Sequence, residues 1–273
     1  MSRPIATLVD GLPAQEDWPL DRGIQYGDGL FETMIARAGR IRYEALHRRR
    51  FETGCQRLLL TVGQASLWEQ VEALALQHRD AVVKLLVTRG SSAQRGYGIG
   101  GRENCRSILY VYPAPADADV PEAPGAVTLQ ATLGENPRLA GLKHCNRLEQ
   151  VLARAELQPT GAYEGLVASG SGRLISGTMS NVFLEMESGL VTPVLDQCGV
   201  AGIMRAVVLR EAPAIGLQVR MADIPMSMLD QCRGLFVTNA RLGVLPMTRI
   251  NDRVLRTSDA VRSLAQRVAT LGN

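Results

Sequence analysis

Long apolar runs are missing from this 273-residue chain, and none approaches the span of a membrane helix. The opening stretch, "MSRPIATLVDGLPAQEDWPL", lacks the charged and apolar segments of an export signal, because aspartate and proline interrupt it early. Histidine is scarce: His47, His78 and His144 are the only three, so a histidine-rich metal site is not expected. The five cysteines (Cys55, Cys105, Cys145, Cys198 and Cys232) lie far apart and form no C-x-x-C pair. An odd number without metal spacing predicts reduced thiols and a cytoplasmic protein. A dominant charge is missing too. The formal charge is +3 and the basic residues are scattered, which leaves no footprint for nucleic acid.

What is present is a chain long enough for two lobes, each with its own core. It has no repeat of fixed period. The clearest shift in composition is "YPAPADADVPEAPGA", Tyr112 to Ala126, which holds four prolines and little periodicity. It reads as a connection, so the expected division is a smaller N-terminal domain over 1–113, a link over 114–125 and a larger C-terminal domain over 126–273.

Strand and helix signals mix irregularly in both parts. "GDGLFETMIARAGRIR" reads as two strands around a turn, and "AVVKLLVTRG" and "SILYVY" as further strands. "EALHRRRFETGCQRLLL" reads as a helix that gathers Leu46, Arg50, Gly54, Arg57 and Leu58. "SLWEQVEALALQH" is a helix with Leu67, Val71, Leu74 and Ala75 as its apolar stripe and Ser66 as its cap. In the second part "AVTLQAT", "EGLVAS", "NVFLEM", "GLVTPV" and "GLFVTNA" are strands. "GIMRAVVLREAPAI" and "SDAVRSLAQRVATL" are helices. "NRLEQVLARAEL" is an amphipathic helix on Leu148, Val151, Leu152 and Ala155, with Asn146 and Glu149 spaced to cap it reciprocally. The mixture predicts an α/β (α+β) fold of two lobes with a cleft between them.

Lys143 stands just before that last helix, in "GLKHCNRLEQ". On the linear pattern alone the better reading is a solvated loop lysine, and the case for a functional one is modest. Seven segments taken together say more. In chain order they are "YGDGLFETM", "LHRRRF", "VTRGSSAQRGY", "NPRLAGLKHCNRLEQVLA", "GTMSNVFL", "GVAGIMR" and "VTNA". The chain resembles, nearly end to end, the fold type IV pyridoxal-phosphate enzymes, a group that includes D-amino-acid and branched-chain aminotransferases. The segment around Lys143 is most similar to the members that split 4-amino-4-deoxychorismate into 4-aminobenzoate and pyruvate. The resemblance implies that lyase activity, with amino transfer as the alternative. It also implies pyridoxal 5'-phosphate in the interdomain cleft, a small-molecule substrate and a homodimer.

The resemblance assigns roles residue by residue. Lys143 matches the Schiff-base lysine, since an amine can form and exchange an imine with the cofactor aldehyde. A lysine partly buried beside a cationic imine gives up its proton more readily, which suits a proton carrier. Arg50 matches the phosphate-binding arginine, whose guanidinium can clamp a phosphate with two donors. Ile203 and Met204 follow Gly202 where a helix starts, and free N–H groups there suit a phosphate. Asn239 matches the same phosphate end, although a turn residue after a strand reads equally well. Arg95 and Tyr97 match a pair that binds substrate carboxylate. Phe31 and Thr33 share one side of a strand, and the family pattern turns that side toward the cofactor. Thr33 stands as a second catalytic candidate, near Lys143. Asn181 matches a motif residue near the cofactor. Ser176 is a departure: most relatives carry a glutamate there, paired with the pyridine nitrogen. A carboxylate keeps that nitrogen protonated, and a hydroxyl does so less well.

Overall fold

The computed structural model describes residues 5–13, 21–91, 96–99, 105–114 and 120–271. Packing divides the chain into two units. The first is built from Met1–Pro115 with Leu142–Asn146, and the second from Ala116–Gly141 with Arg147–Gly272. The expected division put Lys143 with the C-terminal part, whereas its five-residue segment packs with the N-terminal unit.

The first unit is a six-stranded antiparallel sheet: β1 (Ala6–Val9), β2 (Leu12–Pro13), β3 (Gly29–Arg37), β4 (Arg40–Ile41), β5 (Ala81–Thr88) and β6 (Arg106–Pro113). The strands lie in the order β2-β1-β6-β5-β3-β4. The sequence "AVVKLLVT" shows why β5 is central. Ala81, Val83, Leu85 and Val87 are buried, while Val82, Lys84 and Leu86 turn to the other face and stay half-buried. The buried face is covered by α2 (Glu44–Leu58) and α3 (Gln64–His78), which follow the short α1 (Arg22–Tyr26). The stripe expected for α3 is buried and gains Trp68, whose ring meets Phe51 of α2 edge-on at 6.1 Å. Ser66 lies inside the first turn of α3, and Gly63 takes the cap position. In α2 the buried residues are His47, Phe51, Gly54 and Cys55, so its inward face is rotated from the expected one. Burial pushes the Cys55 thiol up to about 12, which keeps it unreactive at neutral pH.

The second unit holds two five-stranded sheets. Its strands are β7 (Gly125–Leu133), β8 (Glu164–Ser169), β9 (Leu174–Gly177), β10 (Asn181–Met186), β11 (Gly189–Pro193), β12 (Val219–Ala222), β13 (Gly234–Asn239), β14 (Gly243–Met247), β15 (Arg249–Ile250) and β16 (Arg253–Val254). One sheet runs β16-β15-β7-β8-β9 and the other β12-β11-β10-β13-β14. Leu166, Leu174, Val182, Leu184, Val191, Leu235 and Val237 pack between them as one core. Every residue of β8 is buried, Glu164 and Ser169 included.

Among its described residues this unit also has three α-helices: α4 (Leu148–Leu157), α5 (Ile203–Glu211) and α6 (Asp259–Thr270). No helix among the described residues is long and apolar enough to cross a membrane. The α4 helix departs from the sequence reading. Leu148, Val151, Leu152 and Ala155 are exposed, and the buried residues are Ala153 and Leu157. The reason lies in β7, whose pairing with β8 shifts register between Thr128 and Thr132. Strand N–H groups near such a shift need other acceptors. Glu156 accepts from Gln130 N at 2.6 Å and from Ala131 N at 2.8 Å, and Glu149 accepts from Gly134 N at 2.8 Å. The polar flank of α4 therefore faces the sheet and the apolar stripe faces out. The expected reciprocal cap is absent as well: Arg147 occupies the cap position, and Asn146 Nδ2 donates instead to Gly27 O at 3.0 Å.

Candidate active site

In the first unit the Lys143 segment adds to the side of β3 opposite β5. Phe31 N donates to Lys143 O at 2.9 Å and Cys145 N donates to Gly29 O at 2.9 Å, with Leu30 bridged to His144. This short antiparallel contact leaves the Lys143 Nζ 4.2 Å from the centroid of the Phe31 ring. Phe31 and Thr33 do share a face, as expected, and Thr33 is paired in register with Lys84 of β5. Lys84 Nζ lies 5.5 Å from the Phe31 ring and 5.8 Å from the ring of Tyr110 on β6. The chain contains two lysines, Lys84 and Lys143, and both reach the same aromatic ring.

Glu32, between Phe31 and Thr33, points to the opposite, helix-covered face and is 1% exposed. It receives Arg50 from α2 in a two-pronged ion pair, Nε to Oε1 at 2.7 Å and a terminal nitrogen to Oε2 at 2.5 Å. His47, one turn earlier on α2, places Nδ1 2.7 Å from Glu32 Oε2. Burial alone would push the Glu32 carboxyl up. The Arg50 charge and the hydrogen bonds from His47 and Arg50 outweigh it and hold the pKa at about 2. Arg50 is thus held in one orientation by a buried carboxylate. Its neighbours differ: Arg49 is exposed, while Arg48 pairs with Glu44 and Glu72 and stacks on Trp68.

In the second unit Ser176 is buried at the end of β9, and its Oγ donates to Gly177 O at 2.8 Å. Asn181 opens β10; its Nδ2 donates to Val200 O at 2.9 Å and its Oδ1 accepts from Gly202 N at 3.0 Å. Ile203 and Met204 begin α5 and are buried, and no side chain caps that helix. Asn239 fits its turn reading. Its Oδ1 accepts from Arg241 N at 3.0 Å and Leu242 N at 2.8 Å, and its Nδ2 donates to Met179 O at 3.4 Å.

Arg95 lies outside the described residues. Tyr97 is 83% exposed, and its ring meets Tyr26 edge-on at 5.2 Å. Glu32 and Lys84 are the additions that the sequence reading did not single out. Period-two alternation from Phe31 would have put Glu32 on the helix side, and pairing β3 with β5 would have put Lys84 beside Thr33.

The model of the amino-transferase class IV family matches residues 29–250, and the chain belongs to that family. Its likeness to individual members is closer still. It is 32% identical over 247 residues to aminodeoxychorismate lyase of Vibrio harveyi, covering 89% of this chain and 90% of that protein. It matches the crystal structure of 4-amino-4-deoxychorismate lyase from Pseudomonas aeruginosa at 38% identity and a TM-score of 0.91, covering 98% of this chain and 100% of the other. The fold alone is shared with a hypothetical aminotransferase from Mycobacterium tuberculosis in its PLP-bound form. That match is 18% identical with a TM-score of 0.82, over 97% of this chain and 98% of the other.

The depressed Glu32 pKa sets a pH signature. Its folded value lies below the ordinary carboxylate value of 4.5, so its contribution to stability is complete above about pH 4.5. That contribution is lost as pH falls toward about 2. Glu32→Gln is expected to cost about 3–5 kcal/mol at pH 7, because Arg50 loses its charged partner. Urea unfolding from neutral to acid pH checks this: the gap between variant and wild type should close as pH drops through that window.

Proposed function

We propose that this chain is a pyridoxal-phosphate-dependent lyase that converts 4-amino-4-deoxychorismate into 4-aminobenzoate and pyruvate. The observation that carries the reading is the Lys143 ammonium held over the Phe31 ring by backbone pairing with β3. It sits in a chain similar over almost its whole length to two lyases of that name.

The donor set fits the cofactor. Lys143 supplies the amine for the aldehyde, and Arg50, oriented by Glu32, supplies a guanidinium for the phosphate. The start of α5, which has no side-chain cap, offers N–H groups at Ile203 and Met204 that suit a phosphate. Ser176 stands where the ring nitrogen partner belongs in the family pattern. When bound, the cofactor offers an aldehyde carbon for imine exchange and a ring that withdraws electrons from the substrate's amine-bearing carbon.

The chain's own groups do the rest. Lys143 removes the proton from the amine-bearing carbon, and its reach lets one amine serve two proton positions. The enol-ether methylene gains a proton from Lys143, from a neighbour such as Thr33, or from water as the carbon–oxygen bond breaks. The three-carbon fragment leaves as pyruvate and the six-membered ring becomes aromatic. Lys84, on the same face as Phe31, offers a second cation for a substrate that carries two carboxylates. Arg95 and Tyr97 remain candidates for the same task. Ser176 in place of a carboxylate makes the electron sink weaker, which suits an elimination driven by aromatisation and disfavours amino transfer.

The protein is proposed to act in the cytoplasm as a homodimer. Support for the dimer comes from α4, where Leu148, Val151 and Leu152 are each 63–68% exposed along one helix face.

Two experiments test the reading. Purified protein given 4-amino-4-deoxychorismate and pyridoxal phosphate should release 4-aminobenzoate and pyruvate in equal amounts. Ser176→Glu should cut that turnover by about tenfold, near 1.4 kcal/mol of barrier, and bring in amino transfer from an amino acid to a keto acid. Faster lyase turnover with no amino transfer would count against the role given to Ser176. For the dimer, Leu148→Asp should shift the protein toward the monomer mass in light scattering, while an unchanged mass would remove α4 from the interface.

A further inference from the structure

Asn181 is expected at the cofactor, yet both ends of its amide are engaged by backbone. Nδ2 donates to Val200 O at 2.9 Å, Oδ1 accepts from Gly202 N at 3.0 Å, and the residue is 6% exposed. The contact is tight. A Cβ added to Gly202 would come within 2.0 Å of Asn181 Oδ1, and the next residue it meets is Arg205, at 3.8 Å. Gly202 has a φ of −69°, so alanine would meet no backbone strain there. The Asn181 side chain, not the backbone, is what requires glycine.

The other side of Asn181 is fixed as firmly. The turn from Gly177 to Ser180 wraps the buried carboxylate of Glu164. Glu164 Oε1 accepts from Gly165 N at 2.9 Å, from Thr178 N at 2.9 Å and from Thr178 Oγ1 at 2.5 Å, and Oε2 accepts from Ser180 Oγ at 2.7 Å. Gly177 N closes the turn onto Ser180 O at 2.9 Å. A buried carboxylate with this many donors is a rigid anchor. The order of connection is Glu164, the 177–180 turn, Asn181, the Val200–Gly202 approach and then α5.

We propose that Asn181 is a positioning residue: it clamps the Val200–Gly202 approach and thereby aims the first-turn N–H groups of α5 at the cofactor phosphate. This rests on the reading of α5 as a phosphate site given above. The amide acts through backbone geometry and touches no reacting atom. Its loss should therefore weaken recognition of the phosphate and leave recognition of the rest of the cofactor alone.

Pyridoxal phosphate and pyridoxal differ by that phosphate, so titrating the cofactor-free full chain with each, followed by visible absorbance, isolates the effect. Asn181→Ala should raise the Kd for pyridoxal phosphate by about tenfold or more and leave that for pyridoxal within about twofold. Gly202→Ala approaches the same contact from the other side and should do likewise. In the Asn181→Ala background it should add little, because the atom it collides with is gone. If Asn181→Ala does not fold, Gly202→Ala carries the same comparison. Equal weakening of both ligands in a folded variant, or full additivity in the double variant, would overturn the inference. If the wild-type chain binds both ligands alike, the phosphate reading of α5 fails and the inference goes with it.

Discussion

Two backbone hydrogen bonds, Phe31 N to Lys143 O and Cys145 N to Gly29 O, tie the Lys143 segment to β3. The chemistry proposed for this chain depends on that contact. A lysine side chain carries several rotatable bonds, and its amine is useful only if its starting point is fixed. The pairing fixes it relative to a strand whose own place is set by a full antiparallel ladder with β5. Gly29 permits the approach: an added Cβ there would meet Val87 O at 2.4 Å and Cys145 Sγ at 3.2 Å. Sheet geometry therefore places both the Lys143 amine and the ring beneath it.

Charge is handled by the same strand. Because side chains alternate, Phe31 and Thr33 face one way while Glu32 turns into the helix-covered core. Burying Glu32 would be costly alone, and Arg50 and His47 from α2 offset that cost. A lone arginine would sample many rotamers, whereas one held by a buried carboxylate presents its remaining surface in a single orientation. The second unit repeats the device with Glu164, whose carboxylate organises the turn leading to Asn181. In each unit a buried acid acts indirectly, by fixing a neighbouring side chain or the turn beside it.

Much of the framework was legible in the sequence. The β-branched and aliphatic residues of "AVVKLLVT" and the short segment "EGLVAS" indicated their strands, and the α3 stripe its buried face. Helix faces that answer to polar demands were not. The α4 stripe reads as a core face, but Glu149 and Glu156 are drawn to N–H groups beside an irregularity in β7, so the stripe turns outward. Asn146 and Glu149 have the spacing of a cap, and both instead serve distant backbone groups. A hydrophobic pattern cannot reveal such long-range acceptors. Lys143 was singled out by its family segments, while Lys84 became visible only once β3 and β5 were paired in register.

With two lysines near one ring, the central claim reduces to which of them bonds the cofactor. Borohydride reduction of the pyridoxal-phosphate-loaded protein, followed by peptide mass mapping, answers this directly. The account predicts a single modified peptide containing Lys143 and an unmodified Lys84. Modification at Lys84, or no covalent adduct at all, would contradict it.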